Sequence, residues 1–208
     1  MPFHDVTELP PGFCEPETTL DRELSIEDRV QITELLHRVY LCEDSRDYAA
    51  LEKILIEDYI NEHPLFGRHE SASSFIEWFK NTPAGFDGIR HNCLNSITRG
   101  VSKDVAESIS YILVLQLFGA KSRNESPGEE IDSLLPRTIG HGVVCDRWIK
   151  KSDRWHLQHR IYQQMSINAA FLSDKALRGE AQRGLGGFPM SDCDKKRLQE
   201  HQQINKFK

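Results

Sequence analysis

The stretch TIGHGVVCDRWIKKSDRWHLQHRIYQQMS, residues 138–166, decides the fold. Two β-rich runs, Thr138 to Ile149 and Trp155 to Ser166, flank the short polar segment Lys150-Lys151-Ser152-Asp153-Arg154, the pattern of a long antiparallel hairpin. Working outward, the same period of two recurs upstream. Ile89, His91, Cys93, Asn95 and Ile97 alternate with Arg90, Asn92, Leu94 and Ser96, and the run Val105 to Phe118 sets Ile109, Tyr111, Leu113, Leu115 and Leu117 on one face. Four long antiparallel strands follow from this, with the aperiodic polar segment KSRNESPGEEIDS, residues 121–133, as a surface loop between the second and third.

Further out, the period changes to that of a helix. Ser25 followed by Asp28 resembles a capping box, and Val30, Thr33, His37, Tyr40 and Asp44 form a 3-4-3-4 stripe beside the apolar Ile32, Leu35, Leu36 and Val39. A first helix is predicted over residues 26–44, a short second one over Tyr48 to Ile54, and a strand near Asp58 to His63. SASSFIEWFK, residues 71–80, reads as a third amphipathic helix, stopped by Asn81, Pro83 and Gly85. Helices followed by a block of antiparallel strands make an α+β fold, a curved antiparallel sheet with the helices packed on its concave face. The expected organisation is an irregular acidic arm at 1–24, one domain at 25–167 and a C-terminal extension at 168–208. Ala169-Ala170-Phe171-Leu172 and Phe188-Pro189-Met190 in that extension suit either a lid over the mouth of the sheet or a helix docked outside it.

Composition narrows the function. With 26 Lys and Arg against 32 Asp and Glu the net charge is −6, so the chain lacks the basic excess that drives non-specific nucleic-acid binding. No apolar run approaches the length of a membrane span, and MPFHDVTELPPGF has neither the basic nor the apolar part of a secretory signal; the expected setting is the cytoplasm. The five cysteines, scattered and never in a C-x-x-C pair, read as reduced thiols. His156 and His159, three apart on a strand, are expected to point to opposite faces, so no metal set is proposed.

A curved sheet of this kind can enclose a mainly apolar pocket, and the polar residues on inward strand positions, His91 and His141, are the first candidates for chemistry. LLHRVYLCEDSRDYAAL, IRHNCLNS and GHGVVCDRWIKKSDRWHLQHR together resemble the nuclear transport factor 2-like superfamily, within it the SnoaL-like group that includes polyketide cyclases and scytalone dehydratase. The resemblance implies a cone-shaped fold and an aspartate at a helix end, Asp44, that orients a strand-borne general acid/base, His91. Matched in the same way, Glu43 stands where scytalone dehydratase has a tyrosine, His63 at its second tyrosine, Leu115 at its second catalytic histidine and Cys145 at its asparagine. A shared scaffold with different substrate chemistry follows. Tyr40, one turn before Asp44, together with His63 and His141, is expected to hold substrate oxygens, and Trp78, Leu115 and Cys145 to line the pocket.

The expected function is therefore a cofactor-independent dehydratase, isomerase or cyclase acting on a small hydroxy-carbonyl or polyketide-like molecule. The alternative is a non-catalytic binding or interaction module on the same scaffold. The apolar strands Tyr111 to Phe118 and Val143 to Ile149 suggest a covered outer sheet face, hence a homodimer or homotrimer.

Overall fold

A computed structural model describes residues 13, 24–63, 66–81, 88–117 and 137–167. Three helices come first: α1 (Ile26–Ser45), α2 (Tyr48–Ile54) and, after two strands, α3 (Ala72–Lys80). The strands are β1 (Leu55–His63), β2 (Gly67–His69), β3 (Ile89–Ser102), β4 (Val105–Gln116), β5 (Arg137–Lys151) and β6 (Arg154–Ile167). They form one six-stranded sheet in the order β2-β1-β6-β5-β4-β3. Its pairings are antiparallel except β1 with β6, which run parallel. The C-terminal extension, with its lid or docked-helix alternatives, the 121–133 loop and all of the N-terminal arm but Phe13 and Leu24 lie outside the described residues.

Each helix begins where the sequence supplies an oxygen for its unpaired N–H groups. Ser25 Oγ accepts from the Asp28 amide at 3.0 Å, Asp47 from Ala50 at 3.0 Å and Ser71 from Ser74 at 3.1 Å. α1 ends on Arg46 in the left-handed conformation, φ 58°, its N–H reaching back to the carbonyls of Cys42 and Glu43. The buried face of α1 is Ile32, Leu36, Val39, Tyr40, Cys42 and Glu43, while Val30 and His37 face solvent. The stripe beginning at Val30 is thus rotated relative to the true core face, which includes a carboxylate that periodicity reads as solvent-exposed.

This face lies on the inner side of the sheet against Ala106, Ile112, Val114, Val144, Trp148, Leu157 and Tyr162. Trp148 is fully buried and donates its indole N–H to Ser108 Oγ at 2.9 Å. At the other end of α1, Asp28 Oδ1 accepts from Trp155 Nε1 at 2.7 Å and Lys150 Nζ at 2.9 Å, tying the helix start to the β5–β6 hairpin.

Bulges curve the sheet and reset its faces, because a slip of one residue moves every later side chain to the opposite side. The register of β3 against β4 shifts between Cys93 and Asn95. His91 and Cys93 pair with the inward Val114 and Ile112, but Asn95 and Ile97 pair with the outward Tyr111 and Ile109. The expected single face from Ile89 to Ile97 is therefore split in two, and Ile97 is 48% exposed. A shift between Arg147 and Trp148 likewise places His156 opposite Ile149 and His159 opposite Arg147, the same side of the sheet rather than opposite sides. The described residues contain no cluster of metal-ligating side chains. None of the described helices is long and apolar enough to cross a membrane.

The outer face has its own small cluster, Phe13, Ile109, Val143 and Cys145 with Tyr111 beside it. Phe13, from the N-terminal arm, sits beneath the Arg99 guanidinium at 4.3 Å.

Candidate functional site

The end of α1 and the start of β3 meet on the inner face. Asp44 Oδ2 accepts the His91 backbone N–H at 3.0 Å, and Asp44 Oδ1 lies 2.7 Å from His91 Nδ1. Because one carboxylate holds both the backbone and the ring, the imidazole is fixed in position as well as orientation. With the carboxylate accepting from Nδ1–H, the neutral ring carries its lone pair on Nε2. Among the described residues Nε2 has no hydrogen-bond partner, and the His91 side chain keeps 16% of its surface exposed. Tyr40 stacks against this ring, with centroids 5.4 Å apart and planes 14° from parallel.

Beyond Tyr40 lies a second cluster that composition and periodicity do not disclose. Arg160 on β6 is completely buried, and its Nε and Nη2 donate to the two carboxylate oxygens of Asp146 on β5 at 2.8 and 2.9 Å. Its guanidinium lies over the Tyr40 ring at 4.7 Å and over Tyr162 at 5.9 Å, and its Nη1 stands 3.6 Å from Glu43 Oε1. Burial opposes the charge on Arg160, but Asp146 and the surrounding rings hold its pKa well above the ordinary value. Burial pushes the Glu43 carboxyl up toward its acid form, against the pull of Arg160 and His91. Burial also raises the phenols of Tyr40, Tyr59 and Tyr162, so each remains a neutral hydroxyl.

His63 closes the opposite side. Its ring stacks on Phe66 at 4.3 Å and tilts against Tyr162 at 4.7 Å, and its Nδ1 accepts from the Phe66 amide at 3.3 Å. Burial, reinforced by His91, lowers its pKa to about 3, so it is a neutral donor or acceptor throughout the physiological range. Trp78 on α3 continues this wall, 5.2 Å from Phe66 and 5.1 Å from His69.

Tyr40, Asp44, His63, Trp78 and His91 are thus joined on the inner side by ring contacts and hydrogen bonds. Three expected pocket residues are elsewhere. His141 pairs with Leu113, is exposed, and meets Tyr111 edge-on at 6.5 Å on the outer face. Cys145 pairs with Ile109 and packs in the outer cluster with Phe13, where burial raises its thiol to about 12. Leu115 follows Leu113 by two residues beyond the inward Val114 and is not part of the inner core. The cause is the parity of β4: its inward positions are Ala106, Ser108, Ser110, Ile112, Val114 and Gln116, while Ile109, Tyr111, Leu113 and Leu115 face out, Ile109 buried there in the outer cluster. Conversely, Glu43, Asp146 and Arg160 look like surface charges in the sequence. Only the pairing of Asp146 with Arg160 across β5 and β6 identifies them as interior.

A separate groove of about 610 Å³ lies between α1, α2 and the start of β6, lined by residues such as Leu35, Arg38, Cys42, Ile54 and Trp155, and does not include the Asp44/His91 pair.

The helices, the curved sheet and the aspartate-held histidine define a class, and the comparisons agree with it. Residues 24–161 match the SnoaL-like domain, and the chain belongs to that family. Among curated proteins none matches the chain. Solved structures share the fold at low identity. An NTF2-like protein with a cystatin-like fold from Novosphingobium aromaticivorans is 18% identical, covering 74% of this chain and 89% of its own at a TM-score of 0.55. A hexachlorocyclohexane dehydrochlorinase, LinA-type3, from Novosphingobium barchaimii is also 18% identical, with coverage of 73% and 91% and a TM-score of 0.54. A protein of unknown function with a cystatin-like fold from Nostoc punctiforme is 22% identical, with coverage of 67% and 92% and a TM-score of 0.53.

Proposed function

We propose that this chain is a lyase or isomerase in which His91 transfers a proton and Asp44 orients it, acting without a cofactor on a small, mainly apolar hydroxy-carbonyl or polyketide-like metabolite. The observation that carries the reading is the double hold of Asp44 on His91, at 2.7 Å to the ring and 3.0 Å to the backbone, with Nε2 left unpartnered among the described residues. A structural aspartate needs only to cap its helix. This one instead fixes the tautomer and angle of an imidazole whose free nitrogen is the basic one. Membership of the SnoaL-like family and the shared fold of a dehydrochlorinase, an enzyme that eliminates across a carbon–carbon bond, support an elimination or isomerisation.

The proton path is short. Nε2 takes a proton from the carbon beside the substrate carbonyl, and the electron pair left behind forms a carbon–carbon double bond as the bond to the β-hydroxyl breaks. The imidazolium, stabilised by the Asp44 carboxylate, returns its proton to the departing oxygen, which leaves as water. Where the β-hydroxyl stays, the electron pair is held on the carbonyl oxygen as an enolate, and return of the proton to a different carbon of that enolate gives an isomer instead. The aromatic wall of His63, Phe66, Trp78 and Tyr162 suits an apolar or aromatic body.

The test begins with mass spectrometry of the small molecule that co-purifies with the protein, followed by turnover of that compound or its hydrated form. His91→Ala and Asp44→Asn should each abolish turnover while the melting transition stays cooperative. Full turnover in both variants overturns the assignment and leaves a ligand-binding module.

A further inference from the structure

Three buried polar atoms beside the Asp44/His91 pair make no hydrogen bond among the described residues: Tyr40 Oη, Glu43 Oε1 and Arg160 Nη1. Their side chains are among the most enclosed in the protein, with Tyr40 2% exposed overall and the Glu43 and Arg160 side chains 3% and 0%. They are also neighbours. Tyr40 and Glu43 lie one turn apart on α1, Arg160 Nη1 stands 3.6 Å from Glu43 Oε1, and the guanidinium lies over the Tyr40 ring. A buried polar atom without a hydrogen bond is rare because it forfeits its bond to water, and three together, two of them facing each other at 3.6 Å, too far for a hydrogen bond, leave bonds for another group to make.

We propose that Tyr40 Oη, Glu43 Oε1 and Arg160 Nη1 form a subsite that binds one neutral oxygen function of the substrate, a hydroxyl or a carbonyl, next to the Asp44/His91 pair. This deepens the reading given above and rests on it, since it assumes that the inner side of the sheet receives the substrate. Charge decides the ligand class. Asp146 already occupies Arg160 Nε and Nη2, and the Glu43 carboxyl stands 3.6 Å from Nη1. The guanidinium charge is thus already matched by Asp146, so a carboxylate, phosphate or halide would find no net positive charge there. A hydroxyl or carbonyl adds no charge, can accept from Nη1 and Tyr40, and, if it is a hydroxyl, can donate to Glu43. The direction in which burial moves the Glu43 carboxyl, toward its acid form, fits the same ligand because an acid can also donate to a carbonyl. Tyr40 then has two tasks, stacking on His91 and holding the oxygen, which sets the distance between the anchored oxygen and the carbon that His91 attacks.

The experiment compares three probes of one shape, phenol, toluene and benzoate, by NMR titration of the full-length protein followed at the Trp78 indole N–H. In the wild type, phenol should bind about tenfold more tightly than toluene, the worth of roughly one net buried hydrogen bond, and benzoate should bind more weakly than phenol. Tyr40→Phe, which removes a single oxygen atom, should reduce the phenol preference, and Glu43→Leu should do so independently. His91→Ala should keep it, which separates this subsite from the proton-transfer assignment tested by turnover. Equal binding of phenol and toluene in the wild type, tightest binding of benzoate, a preference unchanged in both Tyr40→Phe and Glu43→Leu, or its loss in His91→Ala each overturns the proposal.

Discussion

Replacing Asp146 by Asn isolates the energetic centre of the interior, because the side chain keeps its shape and loses its charge. Arg160 and Asp146 are 0% and 1% exposed at their side chains and share two charged hydrogen bonds at 2.8 and 2.9 Å. An asparagine can accept one of these bonds but presents its own N–H₂ to the second donor. Arg160 is left with Glu43 at 3.6 Å, whose carboxyl burial drives toward neutrality. Breaking a buried pair while the other charge stays in place costs about 3–5 kcal/mol. At roughly 2–4 °C per kcal/mol for a protein of this size, the melting temperature should fall by about 6–20 °C. The companion variant, Asp146→Leu with Arg160→Met, removes both charges and lets Glu43 hold its proton. It should lie within about 2 kcal/mol of the wild type and above the single variant. Urea unfolding with a constant slope measures both. A loss under about 1 kcal/mol in the single variant, or a double variant less stable than the single, would refute the view of Arg160 as a buried cation that needs its partner.

Three other outcomes follow. His63, held at a pKa of about 3, takes up its proton in the unfolded chain first, so its contribution to stability is complete above the ordinary 6.5 and is lost as the pH falls toward 3; its imidazole signals should not titrate between pH 8 and 5, and a midpoint near 6.5 would contradict the burial described. A Cβ at Gly142 would overlap Met165 Sδ and meet the Gln163 carbonyl oxygen at 3.2 Å, so Gly142→Ala should cost about 1–3 kcal/mol, and unchanged stability would show that the β5–β6 bulge yields freely. Light scattering at micromolar concentration should give a homodimer or homotrimer joined through the outer sheet face, where Ile97 remains 48% exposed, and a monomer would refute this.

The helix and strand elements were legible in the sequence wherever local signals agreed. The Ser25 cap, the helical period over 71–80, the polar hairpin at 150–154 and the period of two in β3 through β6 lead to the helices and long strands in the right order, while the three-residue β2 is too short to carry a period. Faces were less legible than elements, and the reason is the bulges. Nothing in IRHNCLNSI signals that Leu94 is the extra residue, yet that slip sends Ile97 outward while His91 stays in. β4 and β5 mislead in a different way: Leu115 and Cys145 match pocket positions through the family resemblance and His141 through the period of β5, yet all three are on the outer side of the sheet. The period of β3 marks His91, but its pairing with Asp44 is recognisable only through the family resemblance, because 47 residues separate them and no spacing rule links a helix end to a strand. Asp146 and Arg160 carry no local signal at all, and Glu43 is marked only by the family resemblance. Each is an ordinary charged residue until two strands pair and a helix closes over them.

Solvent isotope exchange tests the role of His91 most directly. The protein is incubated in D₂O with the compound it turns over, and deuterium entering the carbon beside the carbonyl is measured in recovered substrate and product by mass spectrometry. Exchange that depends on the wild-type protein, falls by at least about 100-fold in His91→Ala and is lost in Asp44→Asn is the predicted result. Undiminished exchange in His91→Ala would contradict proton transfer by His91.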